Sequence, residues 1–420
     1  MDELRVTGGK VLKGDVLISG SKNAGLPVLF ASVLSSGTTD IQNVPVLQDI
    51  KSSVALLESL GAEVFWDRES RDLKIQSDSI SNFEAHYDLV RKMRASSLAL
   101  GPLLARFGKA KVSLPGGCAI GARPIEIHLE GLKALGAQID LEQGYVLARS
   151  QRLRGCRYEL PFPSVGATEN LMMAACLASG ETELCLVAQE PEIVELAKAL
   201  RSAGAEIEGE GSSTLRIQGK ESLSEIHHTI CGDRIEAGTY LIAGLMTGGA
   251  VKVLGVSPDH LTSVIVALKE AGAEIEVGSD WISLDSKGRR PLSVPIKTAP
   301  HPGFPTDMQA QWMTLMCLAE GKTEIEELIF ENRFMHVPEL SRMGAHLAIH
   351  GQKVEVVGGC ELKAAPVMAT DLRASASLVL AGLVAHGTTI VRRVYHLDRG
   401  YEQMEVKLQK LGADIQRVHS

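Results

Sequence analysis

The sequence predicts an α/β protein made of six copies of one unit, in the order helix, strand, helix, strand, strand. Two sets of six glycines, spaced almost evenly along the chain, and the apolar runs beside them carry this prediction. Repetition at this length indicates one supersecondary unit arranged with pseudo-symmetry. With 420 residues, of which 45 % are hydrophobic, the chain is long enough for two or more domains with large cores.

The first helix of each unit is predicted by an apolar stretch such as 26–34, 98–107 or 378–384. The stretch ends at one glycine of the first set, and these are Gly37, Gly108, Gly180, Gly249, Gly321 and Gly387. Glycine ends a helix readily because it adopts the left-handed conformation without a Cβ clash. A β-like run follows, as at 38–41 and 388–391, and predicts the first strand.

The second helix of each unit ends at a Gly-Ala pair, 23 to 28 residues after the first glycine. The six pairs begin at Gly61, Gly136, Gly204, Gly272, Gly344 and Gly412, with separations of 75, 68, 68, 72 and 68 residues. Short apolar runs after them predict the last two strands. A Leu-Gly-Ala helix ending is common by itself, but two glycine sets in the same register favour a repeat.

Composition limits the class of protein. The net charge of −8 argues against a nucleic-acid partner. The start of the chain lacks the apolar run of a signal peptide, and no stretch approaches the roughly 18 apolar residues of a membrane span. Seven cysteines without a C-x-x-C pair indicate reduced thiols. We therefore expect a cytoplasmic protein that does not associate with membranes. A monomer fits these observations, and the oligomeric state stays open.

Polar and charged residues recur at the predicted start of each first helix, about 14 residues before the first-set glycine. They are Lys22-Asn23, Arg94-Ala95-Ser96, Ala167-Thr168, Arg234, Thr306-Asp307 and Asp371-Leu372-Arg373. The loops after the first strands carry Cys118, Arg123, Arg333 and Arg399. Helix starts offer free N–H groups and the positive end of the helix dipole, so their convergence predicts an electropositive cleft for an anion. An isolated arginine would usually be a solvated surface charge, but recurrence at matched positions favours the cleft.

The loop 114–124 (LPGGCAIGARP) contains a single cysteine among glycines and prolines. Such a loop is expected to be exposed. With Arg123 five residues away, the thiol of Cys118 should have a lowered pKa and could act as a nucleophile or general acid. An inert loop cysteine is an equally open interpretation of the loop alone.

Five segments together resemble the UDP-N-acetylglucosamine 1-carboxyvinyltransferase (MurA) family of enolpyruvyl transferases, from about residue 5 to the C-terminus. They are GDVLISGSKNA at 14–24, PGGC at 115–118, FPTDMQ at 304–309, FENRFMH at 330–336 and YHLDRGYE at 395–402. The resemblance implies the inverse α/β barrel fold of that superfamily, with three units in each of two domains. It also implies transfer of enolpyruvyl from phosphoenolpyruvate to the 3′-hydroxyl of UDP-N-acetylglucosamine with release of phosphate. In that family this is the first committed step of peptidoglycan synthesis, passes through a tetrahedral ketal, and uses neither metal nor organic cofactor.

The resemblance also assigns the residues that handle phosphoenolpyruvate. Its phosphate and carboxylate would be bound by Lys22, Asn23, Arg123, Arg333, Arg373 and Arg399. Cys118 matches the family's proton donor, which can carry a covalent phosphoenolpyruvate adduct and is alkylated by the inhibitor fosfomycin. Asp307 matches the general base for the sugar hydroxyl, Asn23 would steady the tetrahedral intermediate, and Asp371 would help to remove a methyl proton in the elimination.

For the nucleotide sugar the matching positions form a longer set. They are Arg94, Arg123, Pro124, Ile125, Glu126, Ile127, Phe162, Pro163, Ser164, Val165, Gly166, Asp307 and Ile329. His128 matches a family histidine, although a surface or capping histidine is equally open. Some family members carry basic residues where this chain has Phe162 and Gln48, which implies fewer cations near the uridine and phosphates.

Chain order and the resemblance together predict the domains. Residues 21–231 would form the first domain with three units, and residues 1–20 and 232–420 a discontinuous second domain with the other three. Two alternatives remain. A sister enzyme acting on shikimate 3-phosphate shares the fold, and a regulatory paralogue could bind the nucleotide sugar without turnover. The sequence does not separate a main enzyme from a second copy in its organism.

Overall fold

The computed structural model describes residues 2–90, 94–114 and 125–419. They form two compact units, named here by their residues: the first unit comprises 20–90, 94–114 and 125–231, and the second unit comprises 2–19 and 232–419. Each unit has its own apolar core built mainly from Leu, Ile, Val, Ala and Met. No helix among the described residues is both long and apolar enough to cross a membrane.

The helices fall where the apolar stretches predict them. In the described chain they are α1 (Lys22–Ala31), α2 (Gln48–Leu60), α3 (Tyr87–Val90), α4 (Leu100–Phe107), α5 (Glu126–Ala134), α6 (Val165–Ala175), α7 (Pro191–Ser202), α8 (Arg234–Met246), α9 (Thr262–Glu270), α10 (Gln309–Leu318), α11 (Val337–Arg342), α12 (Leu372–Val384) and α13 (Met404–Lys410). Short 3₁₀ turns precede, follow or link several of them, at Ser32–Leu34, Arg94–Ala99, Pro258–Leu261, Thr306–Met308 and Val394–Arg399.

The strands are short, mostly five residues each. In the described chain they are β1 (Glu3–Thr7), β2 (Lys13–Leu17), β3 (Thr38–Gln42), β4 (Glu63–Asp67), β5 (Asp72–Gln76), β6 (Glu84–Ala85), β7 (Lys109–Ser113), β8 (Gln138–Glu142), β9 (Tyr145–Arg149), β10 (Arg157–Glu159), β11 (Glu181–Cys185), β12 (Glu206–Glu208), β13 (Thr214–Gln218), β14 (His227–Thr229), β15 (Ala250–Leu254), β16 (Glu274–Val277), β17 (Trp281–Asp285), β18 (Ile296–Lys297), β19 (Lys322–Glu326), β20 (His346–His350), β21 (Lys353–Val357), β22 (Pro366–Met368), β23 (Thr388–Arg392) and β24 (Asp414–Val418).

Among the described residues, six four-stranded sheets repeat one pattern, which confirms the α/β class and the repeat. Their orders are β14-β3-β5-β4, β6-β7-β9-β8, β10-β11-β13-β12, β2-β15-β17-β16, β18-β19-β21-β20 and β22-β23-β1-β24. The sequence predicted three strands per unit and missed the leading one, which runs parallel to its neighbour. Two of these leading strands have only two residues, too few for a periodic signal.

The N-terminal strands pair within the second unit. β1 lies between β23 and β24 and pairs with both in antiparallel register, with Leu4 opposite Val391 and Arg417. β2 runs parallel to β15, although it directly precedes α1 in the chain. Its counterpart β14 directly precedes α8 but runs parallel to β3 in the first unit. The chain therefore exchanges the leading strands of these two sheets.

The glycines of the Gly-Ala pairs end the second helices as predicted. In the first set only Gly108 caps its helix, and four others lie in the turn before the next strand, two or more residues past the helix cap. The glycines of all six Gly-Ala pairs have left-handed φ values between 91° and 105°, and five of the first set are also left-handed. At the sixth, Gly248 takes the left-handed conformation with φ of 68°, and Gly249 does not. A Cβ at Gly249 would lie 2.0 Å from the carbonyl oxygen of Leu12, so close backbone approach requires that glycine.

The first helices of the repeats are almost entirely buried. In the second unit α8, α10 and α12 pack against one another, and their residues are mostly apolar and buried on all sides, as expected for interior helices. Side-chain caps fix the starts of four first helices, and the capping residues are Ser21, Ser164, Asp233 and Asp371. Each cap contributes roughly 1 kcal/mol and holds the polar helix start in a defined position.

Candidate active site

Two arginines hold Asp307 at a helix start of the second unit. Asp307 lies in the 3₁₀ turn just before α10. Arg333 donates from Nη2 to its Oδ1 at 2.7 Å, and Arg373 donates from Nη2 and Nε to its Oδ2 at 2.9 and 3.1 Å. The side chains of Arg333 and Arg373 are only 6 % and 3 % exposed, whereas that of Asp307 is 26 % exposed. The structure thus brings three predicted site residues into direct contact.

The guanidinium groups of Arg333 and Arg373 are buried, whereas the carboxylate that they bind is partly exposed to solvent. Burial disfavours the charge on Arg373, but the carboxylate of Asp307 outweighs that effect, so the pKa of the guanidinium is raised. Charge-assisted pairs with two parallel donors are short and directional. The two guanidinium groups are therefore preorganised for a carboxylate or phosphate that competes with Asp307.

A buried network of hydrogen bonds lies next to Asp307 and Arg373. Nε2 of Gln311 lies 3.0 Å from the backbone oxygen of Asp307, 3.1 Å from the hydroxyl of Tyr401 and 3.2 Å from Oγ1 of Thr239. The guanidinium carbon of Arg373 lies over the ring of Tyr401, 5.4 Å from the ring centroid. Gln311, Tyr401 and Thr239 were not among the predicted site residues. A glutamine inside an otherwise apolar helix was the available signal.

Asp371 caps the helix that carries Arg373. Its Oδ1 accepts from the backbone N–H groups of Arg373 at 2.8 Å and Ala374 at 3.0 Å. Nearby, burial lowers the pKa of His336 to about 4, the charge of Arg333 lowers it further, and Asp371 opposes the shift. His336 is therefore neutral near pH 7. The capping contact explains the position of Asp371, and its predicted role in proton removal stays a prediction.

Arg399 ends the 3₁₀ turn between β23 and α13 and is partly buried. The residue before it, Asp398, accepts from Arg417 at 2.6 and 3.0 Å, and Arg417 also donates to Glu405 at 2.6 Å. Since Arg417 lies in β24, this anchor ties the turn to the sheet. Arg333 and Arg399 occupy equivalent loops of successive repeats, as the glycine spacing indicated.

In the first unit, Lys22 is the first residue of α1, and Asn23 follows it. The hydroxyl of Ser21 caps the helix by accepting from Ala24 N, and Nζ of Lys22 lies 3.3 Å from Oδ2 of Asp49. Asp49 is buried in the first turn of α2. Asp49 was not among the predicted site residues, because only the tertiary packing of α1 on α2 places it beside Lys22.

The predicted nucleotide-sugar residues of the first unit cluster at two helix starts. Ser164 caps α6 by accepting from Ala167 N at 3.4 Å, which leaves the amides of Val165 and Gly166 in the first turn. Ile125 and Ile127 flank the start of α5 and are buried in the apolar core, whereas Glu126 is exposed. Phe162 is exposed, and Pro163 is partly buried. A ligand at Ile125 or Ile127 would therefore meet backbone rather than side chain.

His128 connects these two helix starts. It is buried, and its Nδ1 lies 2.9 Å from Nδ2 of Asn170, an amide that can only donate. Oδ1 of Asn170 accepts from Gly101 N at 2.7 Å. A Cβ at Gly166 would come within 3.4 Å of the His128 ring. His128 is therefore a packed core residue with its proton on Nε2, and the surface or capping interpretation is wrong.

We expect His128→Gln to make the protein less sensitive to acid. Burial lowers the pKa of His128 to about 4, below the unfolded value of about 6.5. As pH falls below about 6.5 the unfolded chain binds the proton first, so stability present at neutral pH is lost towards pH 4, by about 3 kcal/mol. Glutamine keeps an acceptor for Asn170 but does not titrate.

The check is Tm measured from pH 7.5 to 4.5 for the native chain and the variant. His227→Gln, at an exposed histidine of β14, is the matched control and should follow the native curve. An equal acid-induced fall of Tm in all three proteins would contradict the role of His128.

Some predicted residues cannot be placed. Cys118, Arg123 and Pro124 lie outside the described residues, and Arg94 is described only as the first residue of a 3₁₀ turn. Ile329 follows β19 and is partly buried. Within residues 2–90, 94–114 and 125–419, no group of three or more His, Cys, Asp or Glu side chains is arranged to hold a metal ion.

Comparison with known proteins places the chain in a family. Residues 6–408 match the family described as EPSP synthase (3-phosphoshikimate 1-carboxyvinyltransferase). The UDP-N-acetylglucosamine 1-carboxyvinyltransferases of Shewanella sediminis (strain HAW-EB3) and Geobacter metallireducens (strain ATCC 53774 / DSM 7210 / GS-15) are both 54 % identical, with 100 % of each chain covered. The chain belongs to this carboxyvinyltransferase family.

Solved structures agree with that family assignment. The enolpyruvyl transferase NikO from Streptomyces tendae has a TM-score of 0.89 and 27 % identity, covering 100 % of this chain and 99 % of its own. An EPSP synthase from Acinetobacter baumannii has a TM-score of 0.77 over the full length of both chains, but only 17 % identity, so it shows the fold alone. The predicted family and the predicted enolpyruvyl transferase fold are confirmed.

Proposed function

We propose that this chain transfers the enolpyruvyl group of phosphoenolpyruvate to the 3′-hydroxyl of UDP-N-acetylglucosamine and releases phosphate. The observation that carries the proposal is the carboxylate of Asp307 held by two buried arginines, in a chain 54 % identical from end to end to transferases of that name. The reaction would be the first committed step of peptidoglycan synthesis, in the cytoplasm.

The charges of the substrate fit these side chains. Phosphoenolpyruvate carries a carboxylate and a phosphate, which call for rigid cations with several donors. Arg333 and Arg373 are already desolvated, so an anion that binds them does not pay their desolvation again. We assign both, with Arg399, Arg123, Lys22 and Asn23, to phosphoenolpyruvate.

Asp307 would act as the base once a substrate anion shares the donors of those arginines. Both of its oxygens now accept from guanidinium groups. An incoming carboxylate or phosphate competes for the same donors and leaves a carboxylate oxygen for the sugar hydroxyl. Substrate binding and activation of the base would then be one event, which prevents proton abstraction before phosphoenolpyruvate arrives.

The proposed steps balance without a further reactant. In the addition, Cys118 gives a proton to the methylene carbon, the 3′-oxygen bonds to C2 of phosphoenolpyruvate, and the hydroxyl proton goes to Asp307. The product is a tetrahedral ketal that still carries phosphate. In the elimination, a methyl proton leaves towards Asp371, the double bond forms again, and the C–O bond to phosphate breaks. One of the two carboxyl protons then returns to the Cys118 thiolate and the other leaves on the phosphate.

The nucleotide sugar would use the helix starts of the first unit. The amides of Val165 and Gly166 open a helix of 11 residues whose cap, Ser164, is satisfied internally. Free N–H groups at such a start favour a diphosphate. The His128 ring behind Gly166 leaves little room for a side chain at that position, which keeps the backbone accessible. By the family resemblance, Asp307 and Ile329 of the second unit are also assigned to the nucleotide sugar.

The sister reaction is not favoured. Relatives named UDP-N-acetylglucosamine 1-carboxyvinyltransferase are 54 to 55 % identical, whereas two EPSP synthase structures from Acinetobacter baumannii are 17 and 18 % identical. A regulatory paralogue without activity is the other alternative, and only turnover separates it from an enzyme.

The test is phosphate release from phosphoenolpyruvate with UDP-N-acetylglucosamine, with shikimate 3-phosphate, or with no acceptor. We expect phosphate release only when UDP-N-acetylglucosamine is the acceptor. The rate of release should fall sharply in Cys118→Ser. Cys185→Ser, at a partly buried cysteine of β11, is the control and should keep native turnover. No release with any acceptor would favour the binding protein, and release with shikimate 3-phosphate would favour the sister enzyme.

A further inference from the structure

We infer that Glu327 is a positioning residue for the proposed transfer, through a chain of hydrogen bonds that joins the Ile329 turn to Asp307. Glu327 follows β19 directly and is fully buried. It belongs to none of the positions that the sequence or the family resemblance assigned. The inference rests on the proposed function, because its effect is on the base and the sugar-contacting turn of that reaction.

One carboxylate oxygen of Glu327 fixes the turn that carries Ile329. Oε1 accepts from Ile329 N at 2.9 Å, from Phe330 N at 3.1 Å and from Oγ1 of Thr298 at 2.9 Å. Oγ1 of Thr298 in turn accepts from Leu328 N at 2.9 Å. Three consecutive backbone amides are therefore held, directly or through Thr298, by a single side chain.

The other carboxylate oxygen of Glu327 is linked, through Thr306, to Arg333 and Asp307. Oε2 of Glu327 accepts from Oγ1 of Thr306 at 2.8 Å, and that hydroxyl oxygen accepts from Nη1 of Arg333 at 2.8 Å. Arg333 uses its other terminal nitrogen for Oδ1 of Asp307 at 2.7 Å. The path Glu327, Thr306, Arg333, Asp307 is continuous, with every link within ordinary hydrogen-bond distance.

The negative charge of Glu327 determines which atom donates and which accepts at each hydrogen bond of this path. Among the described residues, no lysine, arginine or histidine forms an ion pair with it, so hydroxyl and amide donors alone offset the burial of its carboxylate. A carboxylate can only accept, so the hydroxyl proton of Thr306 must point to it. The lone pairs of Thr306 then face Arg333, which fixes the orientation of the guanidinium at Asp307. Such outer contacts hold catalytic groups in their productive geometry.

Glu327→Gln tests the path with little change in shape. Glutamine can keep its oxygen on the Ile329 and Phe330 amides but places an NH₂ group against Thr306. The Thr306 hydroxyl then loses its acceptor, and the new NH₂ group competes with Arg333 for the hydroxyl oxygen. We expect kcat about 10- to 100-fold lower, the loss typical of a charge-assisted hydrogen bond, with KM for UDP-N-acetylglucosamine changed less than about 3-fold.

The matched control is Glu326→Gln. Glu326 is the neighbouring residue, at the end of β19, and its side chain pairs with the exposed Lys297 at 3.3 Å. Native kcat is expected there. Thermal unfolding of both variants separates positioning from loss of fold, since a purely structural role would lower Tm and the active fraction rather than kcat per folded molecule.

Thr306→Val supplies a second variant that cuts the same path and also serves if Glu327→Gln does not fold. We expect a similar loss of kcat, and a double variant no worse than the more impaired single one, since both substitutions remove one link. Additive losses, or Glu327→Gln equal to Glu326→Gln in a chain that turns over, would overturn this inference alone. An unmodified chain without turnover would overturn the proposed function and this inference together.

Discussion

Replacing Asp307 with asparagine is expected to lower kcat about 10³-fold while the affinity for UDP-N-acetylglucosamine changes less than about 3-fold. The amide cannot take the proton of the sugar hydroxyl, whereas its oxygen can still accept from one of the two arginines. Single-turnover phosphate release measures the rate, and calorimetric titration of the nucleotide sugar measures the affinity. Near-native kcat would remove Asp307 as the base.

The same substitution should also weaken the fold of the second unit. Without the carboxylate, Arg333 and Arg373 keep their charges in buried positions with one fewer acceptor. Removing one partner of a buried pair typically costs about 3–5 kcal/mol, and the asparagine oxygen should reduce that to the lower end. Asp280→Asn, at an exposed position of the same unit, controls for removal of a negative charge. Measuring kcat well below Tm keeps the two effects of Asp307→Asn apart.

The sequence could predict the repeat because its signals are local. A glycine that ends a helix needs only its own φ, and eleven of the twelve selected glycines take the left-handed value. The exception, Gly249, is needed for a close approach to Leu12, which precedes β2 and is distant in the sequence, so spacing does not reveal it. The leading strands were missed for the same reason. Pairs such as Ile296 with Ile325 exist only because the sheet brings them together.

The site residues divide in the same way, into those with a local signal in the sequence and those placed only by tertiary packing. Asp307, Asp371 and Arg373 recur at helix starts, so spacing alone marked them. Their partner Glu327 carries no such mark, since in the sequence it is one more acidic residue after a strand. Gln311 is marked only as a glutamine inside an otherwise apolar helix. Asp307, Gln311 and Arg373 meet because α10 and α12 pack together, a tertiary property.

Truncation of Arg373 is expected to impair stability and catalysis together. In the native chain its guanidinium makes two hydrogen bonds to Oδ2 of Asp307 and stacks over Tyr401. Arg373→Ala should lower the free energy of unfolding by about 3 kcal/mol, because Asp307 loses one of its cations and the stacked side chain leaves a void. It should also lower kcat/KM for phosphoenolpyruvate by about 10²- to 10³-fold, since a desolvated anion contact is lost.

Arg373→Lys separates charge from geometry. Lysine restores one positive charge but cannot donate from two nitrogens to one oxygen or stack a planar group on Tyr401, so we expect only partial recovery of kcat/KM. Arg392→Ala is the control, because that side chain is 60 % exposed and lies 3.8 Å from Glu3, and surface pairs contribute at most about 1 kcal/mol. Phosphate-release kinetics over a range of phosphoenolpyruvate concentrations, with denaturant unfolding of the same samples, give both quantities. Full recovery by lysine would mean that Arg373 supplies charge alone, and native kcat/KM in Arg373→Ala would exclude it from the phosphoenolpyruvate site.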